Sequence, residues 1–251
     1  MIRADCHVHL YPSFRLDRLL QRLSALESEG IPRAYLLAER HDCNAFDLLK
    51  SLSEVSDTSE GVVRVGGGYW VAGRQVVTAE RLEVLALCTE KQFRDGLPFN
   101  QCLQMVKDAG AVSVTSWAPG KWTFGRERII RDAIEQAKPG ELLLADSSLR
   151  PAHFPEPALL KLGRQKGLGV IAGTDPLPFA GQENLIGSYG ALLPNFDPAR
   201  PLESLVKSLT TERPNFQHFG HRSSLFGVAD RLFRLKFQGK GPAHQSQRAS
   251  G

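Results

Sequence analysis

The stretch that decides the fold stands at the start of the chain: Ile2-Arg3-Ala4-Asp5-Cys6-His7-Val8-His9. Its apolar residues are typical of a short buried strand, and its second half adds an acid and two histidines. Because alternate residues of a strand point to the same side, we expect Asp5, His7 and His9 to project together. Two imidazoles and a carboxylate on one face form a donor set for a divalent metal ion. The alternative is a pair of histidines bonded to water or backbone carbonyls.

Outward from this strand, short apolar segments alternate with amphipathic helical patterns along most of the chain. Strands are predicted near residues 34–38, 111–115, 141–145 and 169–172, and helices near 16–26, 46–52, 98–109, 126–137, 157–166, 202–209 and 225–237. Residues 61–65, 66–71 and 81–87 have no helix between them, which predicts a hairpin or β-excursion. The whole pattern predicts an α/β fold, and six or seven βα units favour a (β/α)7-8 TIM-like barrel over an open sheet.

Length and composition set the class of protein. The 251 residues, 42% of them hydrophobic, fit one domain over residues 1–237, and residues 238–251 are predicted to be a disordered tail. No apolar run approaches the ~20 residues that cross a bilayer, and the N-terminus does not resemble a signal peptide. We therefore expect a cytoplasmic protein without a membrane partner, whose four scattered cysteines are reduced thiols.

Charge is unevenly distributed along the chain. The net charge is +4, and the segment from Arg200 onward holds nine Lys or Arg against three Asp or Glu, which is +6. A basic segment can attract nucleic acid, but no nucleic-acid motif accompanies this one. A solvated helical face is the preferred interpretation, and nucleic acid is an unlikely partner.

Three motifs carry a resemblance to a known family. Asp5-x-His7-x-His9, Glu39-Arg-His41-Asp42 and Gly173-Thr174-Asp175 each close a predicted strand. Together they resemble the PHP (polymerase and histidinol phosphatase) domain and the related amidohydrolase superfamily, with His41 matching the histidine of a Thr-Asp-His segment. The resemblance implies a distorted PHP-type barrel and a metal-dependent hydrolase.

The chain also departs from the family pattern, and the departures limit the metal count that the resemblance implies. Ser116-Trp117 stands where the family has His-Pro, and Asp175-Pro176-Leu177 stands where it has Asp-x-His. Full members bind two or three metal ions. The remaining ligands predict one divalent ion, Zn, Mn or Fe, held by His7, His9 and Asp175, with Asp5 and Glu39 as further ligands.

Asp175 closes a buried strand, and Pro176 turns the chain directly after it. In a barrel this position lies at the catalytic face, where the carboxylate could bind a metal or accept a proton from water. Glu39 and His41 are the other predicted catalytic groups. The alternative for Asp175 is a turn cap, since Asp before Pro is common in turns.

Two loops that follow predicted strands carry basic residues. Lys121 lies in one of them beside Trp117, and Arg150 lies in the other. Lys121, Arg150 and Trp117 are predicted to bind the substrate, because clustered cations at strand ends suit an anionic group such as phosphate. Each cation alone is more often a solvated surface charge.

The predicted function is a metal-dependent hydrolase of an anionic small molecule. By resemblance the bond is a phosphoester, with an amide-type C–N bond second. The alternative is a catalytically degenerate PHP-like barrel that binds a small molecule or a protein.

Overall fold

The computed structural model describes residues 1–27, 30–52, 55, 57–212 and 214–238. Its strands are β1 Ile2–Val8, β2 Arg33–Leu37, β3 Asp57–Ser59, β4 Val62–Val65, β5 Gly68–Val71, β6 Gly73–Val77, β7 Glu83–Leu87, β8 Val112–Ser116, β9 Leu143–Ser147, β10 Val170–Gly173, β11 Tyr189–Leu193 and β12 His218–Gly220. Its helices are α1 Leu16–Ala25, α2 Ala45–Lys50, α3 Phe99–Asp108, α4 Arg126–Gln136, α5 Ala158–Gln165, α6 Pro201–Leu209 and α7 Leu225–Gln238.

The strands form two sheets. One has the order β12-β11-β1-β2-β5-β4-β3, and the other has the order β10-β9-β8-β7-β6. Pairing is parallel for β1 with β2, β2 with β5, β8 with β9 and β9 with β10, and antiparallel for the remaining neighbours. The α/β class and the strand-rich excursion in the middle of the chain are therefore confirmed.

The apolar core is layered between and around the two sheets. One cluster joins residues of both sheets, such as Cys6, Leu36, Leu85 and Ile171, and so lies between them. The outer face of each sheet packs on helices: Leu19, Leu20 and Leu23 of α1 are buried against the first sheet, and α3, α4 and α5 cover the second. The leucines of α1 recur at three- and four-residue spacing, which places them on one face of the helix.

The two sheets approach each other along two seams. At one seam the Asp175 N–H, just beyond β10, donates to the His7 carbonyl of β1 over 2.9 Å. At the other, Glu39 and Arg74 form an isolated parallel bridge between the end of β2 and β6. The ladders of the described residues stop at these seams, so a continuous TIM-like barrel is not confirmed. Antiparallel β7 and β11 also depart from an all-parallel barrel.

At the C-terminus, helix α7 runs through Gln238, one residue into the predicted tail. Residues 239–251, the rest of that tail, lie outside the described residues. In the part of the chain that is described, no helix combines the length and apolar character that crossing a membrane requires.

Candidate metal centre

Three side chains that the sequence singled out meet at the first seam. The Nε2 atoms of His7 and His9 are 3.1 Å apart, and each lies 3.7 Å from Oδ1 of Asp175. All three residues are buried, and one donor atom from each falls within 4.8 Å of the others. The predicted set of His7, His9 and Asp175 is therefore assembled by the fold.

The spacing of these atoms fits a divalent ion. Ligand atoms bound tetrahedrally at about 2.0 Å stand about 3.3 Å from one another, a value between the two separations found here. The chemistry fits as well, since two imidazoles with one carboxylate suit zinc and other first-row metals. Because a site of this kind keeps at least one position open, three protein ligands are sufficient for a catalytic ion.

Electrostatics keep the donors in their metal-binding forms. Burial, together with the neighbouring His7, lowers the pKa of His9 to about 3, so its imidazole is neutral at physiological pH. Burial alone would raise the pKa of Asp175, but His7, His9 and Arg231 outweigh it and lower that pKa below its ordinary value. A neutral imidazole and an ionised carboxylate are the forms that bind a metal.

The backbone at the seam fixes Asp175 against β1. Asp175 has φ +48°, a left-handed conformation that is uncommon outside glycine. Just before it, β10 ends at Gly173, where a Cβ atom would lie 2.4 Å from the His7 backbone nitrogen. The glycine thus permits the close approach of the two strands, and that approach brings the Asp175 carboxylate to the histidines.

Neighbouring polar side chains contact two of the three donors, His7 and Asp175. The Ser116 hydroxyl lies 3.2 Å from Nδ1 of His7, and the Ser147 hydroxyl donates to Oδ2 of Asp175 over 3.3 Å. The Gln75 amide oxygen lies 3.3 Å from Nε2 of His7. Ser116 and Ser147 are outer partners of the kind that fix the tautomer and the direction of a ligand, whereas Gln75 faces the metal-binding nitrogen itself.

These orienting residues were missed from the sequence. Ser116 directly follows a predicted strand and precedes Trp117, so its position was visible but its role was not. Gln75 belongs to β6, a strand that the sequence pattern did not predict. Nothing local marks it as a neighbour of His7, 68 residues away.

Asp5 does not join the cluster. Between Asp5 and Val8 the register of β1 against β2 slips by one residue, since the Cα partners are Tyr35 and Leu37. This bulge breaks the alternation that was expected to align Asp5 with the histidines. The Asp5 carboxylate instead accepts hydrogen bonds from the Thr174 N–H and hydroxyl and from the Gly187 N–H. Burial raises its pKa to about 6, and these hydrogen bonds oppose that shift.

Glu39 and His41 also lie apart from the three donors. The Glu39 carboxylate accepts a hydrogen bond from the Phe46 N–H at 2.5 Å and pairs with Arg74 at 3.3 Å, which joins β2, α2 and β6. The His41 side chain is 62% exposed and faces Asp95 at 3.3 Å. Glu39 is therefore bound by structural partners, and the His41 side chain is largely exposed to solvent.

The predicted anion-binding cations already have carboxylate partners. Lys121 pairs with Glu83 at 2.6 Å, and Arg150 makes a two-point contact with Asp146 at 2.8 and 2.5 Å. Trp117 packs against the core cluster between the second sheet and its helices. In this arrangement neither positive charge is left for a substrate.

A different cation lies at the centre. Arg40 directly follows Glu39 and is close enough to His9 to contribute to its lowered pKa. Burial raises the pKa of Tyr11 and Arg40 opposes that shift, and the Tyr11 ring centroid is 5.5 Å from that of His9. In the sequence, Arg40 is recognisable only as part of the motif around His41.

Comparison with known proteins finds similar folds among solved structures. No family model and no curated protein matches the chain. Among solved structures, PsfC from Pseudomonas syringae PB-5123 has a TM-score of 0.64 at 13% identity, over 94% of this chain and 100% of that one. The lesion-specific endonuclease PfuEndoQ from Pyrococcus furiosus has a TM-score of 0.52 at 13% identity, over 83% of this chain and 56% of that one.

A two-domain protein from Bacteroides vulgatus, described as containing a PHP-like metal-dependent phosphoesterase, matches with a TM-score of 0.49 at 12% identity, over 88% of this chain and 65% of that one. At such identities the similarity concerns the fold alone. The chain therefore shares an α/β fold with PsfC and PfuEndoQ.

Proposed function

We propose that the protein is a metal-dependent phosphoesterase that acts on a small anionic substrate and uses one divalent ion, Zn, Mn or Fe. The observation that carries the proposal is the convergence of His7, His9 and Asp175 at the seam, with separations that suit a bound ion. When bound, such an ion lowers the pKa of a water molecule towards neutrality and withdraws charge from a phosphoryl oxygen.

The chain supplies the remaining functions around these donors. Asp175 is held ionised and is the carboxylate best placed to accept a proton, while Ser147 fixes its second oxygen. Ser116 orients His7 through Nδ1. The Gln75 amide oxygen, which faces Nε2 of His7, is a further ligand candidate. Glu39 and His41, which face Arg74 and Asp95, stay outside this proposal.

The weakly paired guanidinium of Arg40 is an argument for an anionic substrate. Its side chain is 38% exposed, and its carboxylate partner Asp42, at 3.6 Å, is more exposed still. Exposed pairs of this kind contribute little free energy, so a phosphate can replace the carboxylate. Guanidinium groups bind phosphate by two parallel hydrogen bonds, which also orients the bond to be cleaved.

The fold comparison agrees with phosphoester chemistry at the level of analogy. PfuEndoQ is named an endonuclease, and one structure of endonuclease Q is described as a complex with a duplex containing an abasic lesion. A fold does not define a substrate. We keep a small molecule as the proposed substrate, because nucleic-acid recognition uses many cations and the two predicted ones, Lys121 and Arg150, are paired with carboxylates.

The second candidate is a binding protein that has lost catalysis. It is favoured by one observation: Lys121 and Arg150, the cations predicted to hold the substrate, are neutralised by Glu83 and Asp146. Such a protein would bind its ligand without turnover.

Metal analysis combined with a phosphatase assay tests the proposal. After reconstitution with Zn, Mn or Fe, the purified protein should hold about one equivalent of metal and hydrolyse members of a phosphate-ester panel. His7→Ala combined with His9→Ala should abolish both properties, because it removes two of the three donors.

The matched control is His153→Ala, which changes an exposed histidine. It should retain metal and activity. Less than about a tenth of an equivalent of metal after reconstitution, or unchanged turnover in the double variant, would overturn the proposal. Metal binding without hydrolysis of any ester would favour the binding protein.

A further inference from the structure

A cavity of about 300 Å³ lies between the loop that follows β1 and the start of α2. Much of its lining is apolar, with Leu10, Tyr11, Phe14 and Leu48 among the contributors. Asp42, Cys43 and Asn44 add polar atoms on one side. A mostly apolar cavity with a few polar groups is the usual form of a small-molecule site.

Tyr11 connects this cavity to the metal centre. Its ring lines the cavity, lies 5.5 Å from the ring of His9, and meets the ring of Phe14 edge-on at 5.4 Å. The cavity therefore begins one side chain away from the donors. By contrast, the cavity between α3 and α4, lined by Gln104, Lys107 and neighbouring residues, lies on the helix-covered side of the second sheet.

Charge divides the cleft into two parts. The three donors lie at the end nearest His9, where a bound ion would supply positive charge. Leu48 and Phe14 belong to the apolar cavity on the other side of Tyr11. A molecule that spans both parts carries an anionic group at one end and an apolar group at the other.

We infer that the substrate class is a phosphate monoester of an apolar alcohol, aromatic or branched aliphatic. Its phosphate lies beside the three donors, and its alcohol portion lies in the cavity lined by Leu10, Phe14 and Leu48. The inference rests on the proposed phosphoesterase function. In the reaction, water oxygen bonds to phosphorus, the ester P–O bond breaks, and the alcohol leaves with a proton, giving the free alcohol and inorganic phosphate.

Substrate preference gives the first test. We expect kcat/KM for 1-naphthyl phosphate to exceed that for glycerol 1-phosphate by at least about tenfold, the scale on which apolar pockets discriminate. Leu48→Glu places a charge in the cavity lining and should reduce this ratio by about tenfold. Leu48 is 51% exposed on α2, so the variant is expected to fold.

The matched control is Met105→Glu, which introduces the same charge at an exposed apolar side chain of α3. It should keep the wild-type ratio. A wild-type ratio near one, or a ratio that Leu48→Glu leaves unchanged, would overturn the inference.

Calorimetric binding of 1-naphthol separates this inference from the function on which it rests. We expect 1-naphthol to bind the wild-type protein and to bind Leu48→Glu about tenfold more weakly. If the esters are hydrolysed without preference and 1-naphthol does not bind, the cavity assignment fails and the phosphoesterase stands. If no ester is hydrolysed but 1-naphthol binds in this Leu48-dependent manner, the phosphoesterase fails and the cavity remains a site for an apolar group.

Discussion

Two buried aspartates stand at the ends of neighbouring strands, and their surroundings differ. Asp146 in β9 receives two hydrogen bonds from Arg150 and one from the Tyr189 hydroxyl, at 2.5 to 3.0 Å. Asp175, just after β10, receives one side-chain hydrogen bond, from Ser147, and faces two imidazole nitrogens at 3.7 Å. The charge of Asp146 is balanced by Arg150, whereas the Asp175 carboxylate converges with the two imidazole nitrogens. The difference separates a structural ion pair from a site that a cation completes.

Activity should separate the two aspartates most strongly. Asp175→Asn keeps the size of the side chain and removes its charge, so we expect kcat/KM on phosphate esters to fall by about 1,000-fold, roughly 4 kcal/mol. The free energy of unfolding should change much less, by about 1 kcal/mol, because the substitution keeps the volume of the side chain. Steady-state kinetics and urea unfolding measure the two effects, and a variant with wild-type turnover would remove Asp175 from the site.

The free energy of unfolding should depend more on the surroundings of Asp146 than on those of Asp175. Arg150→Met leaves Asp146 buried without its guanidinium, which costs about 3 kcal/mol of unfolding free energy. Metal affinity should remain at the wild-type level, because Asp146 is not a donor. Arg164→Met, which breaks the exposed pair with Glu156, is the control and should cost less than about 1 kcal/mol. A loss of metal in Arg150→Met would contradict the division between the two regions.

The third effect concerns pH and His9. The unfolded chain protonates this histidine below its ordinary pKa of 6.5, whereas the native imidazole stays neutral down to about 3. The unfolded state thus binds more protons in this window, and stability falls as pH decreases by about 1.4 kcal/mol per pH unit. Between about pH 6.5 and pH 5 the metal-free protein should therefore lose roughly 2 kcal/mol through His9.

Comparison with His9→Gln isolates this contribution. The pKa of Asp5, raised to about 6, opposes the effect of His9, because its native carboxyl binds the proton first. Asp5 is present in both proteins, so its contribution cancels in the difference. Urea unfolding in the presence of a chelator, at both pH values, should give a smaller loss on acidification for the variant. Equal losses would show that His9 is not buried in its neutral form.

The smallest effect is expected from the orienting hydroxyl. Ser116→Ala removes the partner of His7 Nδ1 and should weaken metal binding by about tenfold, the lower end of the range for such partners. Ser116→Thr retains the hydroxyl and should recover most of the affinity. Competition with a chelator of known affinity measures both, and equal affinities for Ala and Thr would assign Ser116 no orienting role.

The sequence predicted the cluster of His7, His9 and Asp175 because these residue types carry metal-binding chemistry. The two histidines stand at the exit of one patterned strand and Asp175 follows another, and loops that follow strand ends meet at one side of an α/β fold. Asp5 was misplaced because a bulge leaves no mark in the alternation of residues. The pairing of Glu39 with Arg74 was not predicted, because Arg74 comes from a strand that the pattern did not reveal.

The strand alternation also predicted the α/β class but not the pairing. The antiparallel strand β11, with sequence Tyr-Gly-Ala-Leu-Leu, lies between loops rich in glycine and proline and gave no strand signal. Lys121 and Arg150 were predicted to be free because their carboxylates are fixed only by the folded chain: Glu83 lies 38 positions from Lys121. Charge pairing across strands is a tertiary property, and local patterns do not contain it.

The seam at His7 and Asp175 also has a mechanical consequence. His7 and His9 lie at the end of β1 in the first sheet, and Asp175 follows β10 of the second. An ion bound by all three would therefore cross-link the two sheets. A ligand that binds only the native state adds RT ln(1 + [L]/Kd) to its stability, about 2.7 kcal/mol at a hundredfold excess over Kd. Metal supply would then govern the rigidity of the junction as well as catalysis, and chelation would loosen the two halves before it unfolded either.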